Sequence, residues 1–343
     1  WELTGQETAL ATLGIVSALP MLLGSMIGGA IADRVNRKRL ILLGQAVLVI
    51  TELIVLLLIV VDGLEFWHLL VASAINGAAY PFILSTRMTI VFDVVGATSF
   101  SNAIALSNSV VNLTRIAGPA LLGILLDLGG ADAAYALAVA LHIIAWLCVA
   151  GLKYKPENKS SDKPLFEDTI EGFRYATQSR PIRILIGFGF ISILLLMPVQ
   201  NLFVVFTDEV WKAGEQGLGL LMAATGIGGL AGTLWVAGRS HRSNQIKTMV
   251  LCSIAFAILL LFFSLSPSFY LAIVLIMLAS ACFNICQTVN NALTLTLTDE
   301  NMRGRVSGIM GMSFGFTPLA IIPVAYAAQK FGVQPAVAVA CLL

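Results

Sequence analysis

Runs of about 20 apolar residues, the length a helix needs to cross a hydrocarbon core about 30 Å thick, recur along the chain between short clusters of charge. Ten complete runs are predicted as helical spans, at roughly residues 8–32, 40–61, 67–92, 100–126, 132–152, 182–206, 216–238, 246–265, 269–297 and 304–328. An eleventh begins near Val333 and stops at Leu343 after too few residues to span. The chain opens at Trp1 with no initiator Met and no signal peptide, so both ends are read as cut. One long polar stretch, Lys153 to Pro181, divides the pattern into an N-terminal half-bundle at 1–152, a linker at 153–181 and a C-terminal half-bundle at 182–343. In that linker Phe166, Ile170 and Phe173 share one face of a short helix from Phe166 to Tyr175, lying on the membrane surface or against the bundle. A plain solvated linker is the alternative. The fold class is all-α and polytopic, with ten complete spans and a partial one.

Charge placement orients the pattern, because cytoplasmic loops keep an excess of Lys and Arg. Sixteen of the twenty basic residues fall on one side, in the turn at Arg34–Arg39, the stretch Lys153–Arg183, the turn at Arg239–Lys247 and the turn at Arg303–Arg305. The opposite loops hold Lys212 and Lys330, and Arg87 and Arg115 lie in or at the ends of spans. This alternation puts the linker in the cytoplasm and the first residue outside it, in a multi-pass protein of a bacterial inner or plasma membrane.

Composition narrows the function further. The chain is 58% hydrophobic and 11% charged, with mean hydropathy +0.91, where a soluble domain carries about 25% charged residues. A net charge of +1 lacks the basic excess that nucleic-acid binding demands. Five scattered cysteines make neither a disulfide ladder nor a paired zinc signature, and Cys282 and Cys286 read as packing residues on one helix face. No metal or cofactor is expected. Prolines 20, 81, 119, 198, 318 and 323 fall inside spans, where they kink helices and free carbonyls. The seventh run carries six glycines between Gly217 and Gly232, which let helix backbones approach closely, whether for tight packing or for a hinge.

Three motifs carry a family resemblance. The first is Gly29-Ala-Ile-Ala-Asp33-Arg34-Val-Asn-Arg37-Lys38-Arg39, a Gly, an Asp-Arg pair and a basic cluster. It resembles the signature between helices two and three of the major facilitator superfamily, with Asn36 standing where that signature has Gly. A carboxylate at the C-terminal end of its own helix meets the unfavourable end of the dipole, so Asp33 needs compensation elsewhere. The resemblance implies that this comes from a basic residue and a helix N-terminus of the other half, here Arg303 and Arg305, closing a cytoplasmic latch with Arg37, Lys38 and Asp93. The second motif, Asn112-Leu-Thr-Arg115-Ile-Ala-Gly118-Pro119, is similar to the fifth-helix motif of exporters in the superfamily. The third, Asp299-Glu-Asn-Met-Arg303-Gly-Arg305-Val-Ser, is similar to the turn between helices ten and eleven in its enterobactin-exporter and macrolide-efflux branch. The resemblance implies two pseudo-symmetric six-helix halves, with helix one and most of helix twelve absent here. A shift of 205 lays Gly24 on Gly229, Arg34 on Arg239 and Arg37 on Arg242, while Asp33 meets Gly238.

Polar groups inside spans are functional candidates by default, since they cost free energy unless they face the bundle interior. Asn108, Asn112 and Arg115 share one face of the fourth run, and Asn284, Gln287 and Asn291 share one face of the ninth. With Asn76, Tyr80, Gln200 and Asn201 they would line a partly wet substrate cavity, or else simply bond helices together. Glu52 is the one acid deep in a predicted span. Burial penalises its charged form, so it is the candidate for proton coupling, with pairing to Arg115 or a helix–helix hydrogen bond as the alternatives. His142 reads as structural.

Three function classes remain. The resemblance implies a monomeric secondary transporter in the lipid bilayer, exporting amphipathic small molecules (siderophore, drug or lipid-like) against protons by alternating access. An intramembrane enzyme would need a nucleophile and base, yet the sequence has no G-x-S-x-G, no H-E-x-x-H and three histidines assigned to scattered positions, so no catalytic residue is named. No G-x-x-x-x-G-K-[ST] phosphate cradle is present either. A transporter-like sensor that moves nothing is the third.

Overall fold

The computed structural model describes residues 7–154, 165–238 and 244–342. Among these, every regular element is helical. The elements are α1 (Glu7–Arg34), α2 (Arg37–Val60), α3 (Phe66–Gly151), α4 (Leu165–Gln178), α5 (Arg180–Asn201), α6 (Phe203–Val205), α7 (Gly214–Ala237), α8 (Gln245–Leu265), α9 (Phe269–Leu297), α10 (Arg303–Gly315), α11 (Thr317–Phe331) and α12 (Val333–Leu342). Seven stretches among the described residues are long and apolar enough to cross a membrane.

The apolar runs set the helices, and glycine and proline set their interruptions. α3 covers three predicted runs, and the left-handed glycines Gly96 (φ 70°) and Gly130 (φ 64°) divide it into three legs. Only glycine adopts that conformation without a steric penalty, so the chain turns at both positions. Asn36 caps α2 by accepting a hydrogen bond from the Arg39 amide at 3.2 Å, which gives the Asn in the first motif a local role. The tenth run differs from expectation. It is two helices, α10 and α11, because Pro318 at the second position of α11 cannot continue the helical bonding of the preceding turn. Pro198 lies inside α5, which runs on to Asn201 before a short helix and a π turn at 206–210 follow.

The chain forms two compact units that cross the linker. The first comprises Trp1–Asp93, Leu121–Arg183 and Thr298–Pro318; the second comprises Val94–Ala120, Ile184–Leu297 and Leu319–Leu343. The middle leg of α3 therefore belongs with the C-terminal helices, and α10 with the N-terminal ones.

In the first unit α1 crosses the first leg of α3 where a Cβ on Gly77 would meet the Ser17 backbone and one on Gly24 would meet the Ala78 carbonyl. The Ser73 hydroxyl donates to the Leu13 carbonyl at 2.9 Å beside that crossing. α1 also packs along α10, where Leu22 fills the space above Gly315. In the second unit α7 crosses α9 in the same manner, with Gly228 against the Met277 carbonyl and Gly232 against the Ala281 carbonyl. The second unit's core joins α5 to α9 and α12 around Leu196, Phe203, Phe206, Leu260, Phe263 and Ile276. Trp211 covers one end of it by stacking 5.2 Å from Phe206 and donating to the Ser266 carbonyl at 3.0 Å.

Candidate functional site

Inside the second unit the polar stripe of the middle leg of α3 meets that of α9. Asn108 Nδ2 donates to Thr288 Oγ1 at 3.0 Å, and one turn on Asn112 Nδ2 donates to Asn284 Oδ1 at 3.1 Å. The Ser109 and Thr233 hydroxyls bond at 2.7 Å, tying the same leg to α7. Asn112 is 2% exposed, and it fits only because position 229 is glycine: a Cβ there would occupy the space of the Asn112 amide. Asn284 then passes its own Nδ2 to the Ser280 carbonyl at 2.9 Å. The outcome is a ladder of side-chain amides and hydroxyls between otherwise apolar helices.

Of the predicted cavity residues, Asn108, Asn112 and Asn284 are thus brought together as partners of one another. Gln287 and Asn291 lie on the same helix, half-buried, and Gln287 Oε1 has no hydrogen-bond partner. Gln200 is half-buried, Asn201 is exposed and bonds the Met197 carbonyl, and Arg115 is exposed. Asn76, in the first unit, donates to the Ala72 carbonyl at 3.0 Å, and Tyr80 is exposed. Gly118 has open space where a Cβ would stand. Sequence reasoning missed Thr288, Thr233 and Ser109. Thr288 carries a signal, since it sits four residues from Asn284 on the same face.

The Lys/Arg-rich end of the first unit holds the motif residues whose side chains are described. Arg37 Nη1 bonds Asp93 Oδ2 at 2.6 Å, and the Tyr154 hydroxyl donates to the same oxygen at 2.6 Å. Burial, with the Asp93 carboxylate beside it, pushes the Tyr154 hydroxyl up from the ordinary phenol range. Lys38 caps the end of α3 by donating to the Ala150 and Leu152 carbonyls at 2.7 and 2.8 Å. Arg303 stacks over the Phe92 ring, 3.7 Å from its centroid. Arg305 is held by Asp168 and Glu171 of α4, at 2.9 and 3.0 Å, carboxylates the sequence reading did not name. The side chains of Asp33 and Arg34, with Gly29 and Pro119, lie outside the described residues.

Glu52 of α2 faces the third leg of α3. His142 Nδ1 lies 2.9 Å from Glu52 Oε2 and 3.2 Å from the Ala138 carbonyl, so one N–H is set between two acceptors. Glu52 Oε2 has no well-aligned donor of its own. His142 is therefore the acid's neighbour across the helix pair, a role the sequence reading did not give it. Among the described residues no group of three or more His, Cys, Asp or Glu is arranged to hold a metal ion.

The comparisons with known proteins bear on the family and the fold. The chain is 23% identical over 331 residues to the multidrug efflux pump Tap of Mycolicibacterium fortuitum, covering 93% of this chain and 80% of that protein. It is 26% identical over 335 residues to a staphyloferrin A transporter of Staphylococcus aureus (94% and 82%), and 26% identical over 295 residues to the enterobactin exporter EntS of Shigella boydii (84% and 69%). Among solved structures it superposes on the human organic anion transporter MFSD10 with a TM-score of 0.80 at 17% identity, over 96% of this chain and 80% of that one. The Escherichia coli fucose:proton symporter FucP gives 0.73 at 14% identity (97% and 94%), and a bacterial ferroportin homologue in an outward-facing state gives 0.71 at 15% (99% and 90%). The profile of the Major Facilitator Superfamily matches residues 2–323, and with helices, motifs and relatives in agreement the chain belongs to that superfamily.

Proposed function

We propose that this protein is a secondary transporter that exports amphipathic small molecules by alternating access, driven by protons. The observation that carries the reading is similarity over most of this chain to a drug efflux pump and to siderophore transporters, in a chain whose spans hold a ladder of neutral amides and hydroxyls. Such groups suit a cargo that is partly apolar and partly hydrogen-bonding, since they recognise polarity without fixing a charge. Asn108, Asn112, Asn284, Gln287 and Asn291 are the proposed cargo contacts of the second unit, joined by Arg115, Gln200 and Asn201; Asn76 and Tyr80 are those of the first. When the middle leg of α3 parts from α9, the amides that now bond one another become free to bond cargo.

Proton coupling is assigned to Glu52, with His142 beside it. A carboxyl next to an imidazole between two spans can take up or give up a proton where few other groups can. A distant relative in fold, FucP, is a fucose:proton symporter. The Lys/Arg-rich end is read as cytoplasmic, and Arg37, Asp93, Tyr154 and Arg303 as part of a latch there that includes Asp33. The sequence halves 1–152 and 182–343 are read as the two repeats, working as a monomer in the cell membrane.

A growth screen tests the reading. A strain overproducing the protein is challenged with a panel of toxic amphipathic drugs and siderophores. Resistance to at least one compound, lost in Arg115→Leu at equal expression, is expected. Unchanged sensitivity to the whole panel would speak for a chain that moves nothing.

A further inference from the structure

The seam between α2 and the third leg of α3, both in the first unit, holds two buried oxygens that no described residue satisfies. They are Gln45 Oε1 and Glu52 Oε2, and neither accepts an aligned hydrogen bond. Three contacts fix the antiparallel register of the seam. Lys38 Nζ bonds the Ala150 carbonyl at 2.7 Å, Trp146 Nε1 donates to the Leu42 carbonyl at 3.1 Å, and His142 Nδ1 stands 2.9 Å from Glu52 Oε2. Lys38, Leu42, Gln45 and Glu52 share one face of α2 by helical spacing. Gln45 therefore falls between the Trp146 rung and the His142 rung. Polar groups run from Glu52 toward the Lys/Arg-rich end only on this side. Beyond Glu52, α2 ends in Leu, Ile and Val from Leu53 to Val60, and across from them Tyr135 is the one polar residue between Ala133 and Leu141.

We propose that a short file of ordered water fills this seam from Glu52 past His142 to Gln45, anchored by Gln45 Oε1, and that it leads toward the Lys/Arg-rich end, so that Glu52 exchanges its proton with that side. The physical reason lies in the two oxygens. A buried acceptor without a donor is costly, and native interiors meet that need with water, which makes about three hydrogen bonds to buried polar groups. Here water can donate to both oxygens and bond the His142 imidazole between them. The Glu52 carboxyl gives its proton to the first water, each water passes one on, and the carboxylate left behind stays hydrogen-bonded to the file. Gln45 is thus a positioning residue, which holds the water and not the proton. The purpose of the file rests on the coupling role proposed for Glu52; the water itself does not.

X-ray radiolytic labelling of the full-length protein in lipid nanodiscs tests this without any cargo, because hydroxyl radicals made from ordered water oxidise the side chains that the water touches. Trp67, exposed at the opposite end of the spans, serves as the internal standard. In the wild type His142 and Trp146 are expected to take up label. Gln45→Met keeps the side-chain volume but removes the acceptor, and should lose most of the label at His142. Gln45→Glu keeps an acceptor and should retain it. Tyr135→Phe removes the hydroxyl on the other side of Glu52 and should label as the wild type does. A wild-type His142 without label would mean a dry seam and overturn the proposal, as would full labelling in Gln45→Met. Loss of label in Tyr135→Phe would contradict the direction of the file. Should Gln45→Met fail to fold, the wild type and Tyr135→Phe still decide the matter. Export indifferent to Glu52→Gln, in a protein whose labelling follows the expected pattern, counts against the coupling reading alone.

Discussion

At the residue scale the side chains that matter are those whose neighbours cannot replace them. Asn112 and Asn284 satisfy each other between two apolar helices, and truncating either leaves a buried amide without its partner. Each single change, Asn112→Ala or Asn284→Ala, should cost about 1–3 kcal/mol of stability. The double variant should cost less than the sum, with a coupling of about 0.5–1.5 kcal/mol in a double-mutant cycle on reversible unfolding in mixed micelles. Additive effects would mean the bond carries no free energy of its own. Glu52 calls for a different measurement, because its proposed role concerns protons and not packing. Glu52→Gln should abolish gradient-driven export across a pH series while cargo counterflow persists. Wild-type export with an unchanged pH profile would remove the acid from coupling. His142→Gln, which keeps a polar neighbour but takes away the imidazole, should alter the pH profile more than the rate at its optimum.

At the element scale, close helix crossings determine how the bundle holds together. Gly77 lies over the Ser17 backbone and Gly228 over the Met277 carbonyl, and backbone cannot give way as a side chain can. Gly77→Ala and Gly228→Ala should each lower thermal stability by about 2 kcal/mol or more, whereas Gly118→Ala, with open space around it, should leave it within about 0.5 kcal/mol. Equal effects at all three positions in a thermal-shift assay would contradict this account of the crossings. The same elements show what the sequence makes legible. Apolar run length placed α1, α2, α5, α7, α8 and α9 to within a few residues, because span length is set by the bilayer and not by partners. The break between α10 and α11 needed the knowledge that Pro318 would stop a helix and not merely kink it. The amide faces of α3 and α9 were visible as i, i+4, i+7 stripes, but their pairing was not, since periodicity shows which way a stripe points within its own helix and nothing of what it meets. Arg305 shows the same limit: the resemblance set it opposite Asp33, while its partners Asp168 and Glu171, more than 130 residues away in the linker, were not legible.

At the scale of the whole molecule, the proposed roles fall on different elements: cargo contact on neutral amides between apolar helices and energy coupling on one acid beside an imidazole inside the spans. Membership of the Major Facilitator Superfamily makes transport the economical explanation of that division. The most direct test is flux in inside-out membrane vesicles containing the full-length protein, energised by an imposed proton gradient and offered a fluorescent amphipathic probe chosen from the growth screen. The account predicts probe accumulation above that of protein-free vesicles, collapse on adding a protonophore, and none of it with Arg115→Leu or Glu52→Gln. Accumulation equal to that of protein-free vesicles, or one that survives collapse of the gradient, would contradict proton-driven export.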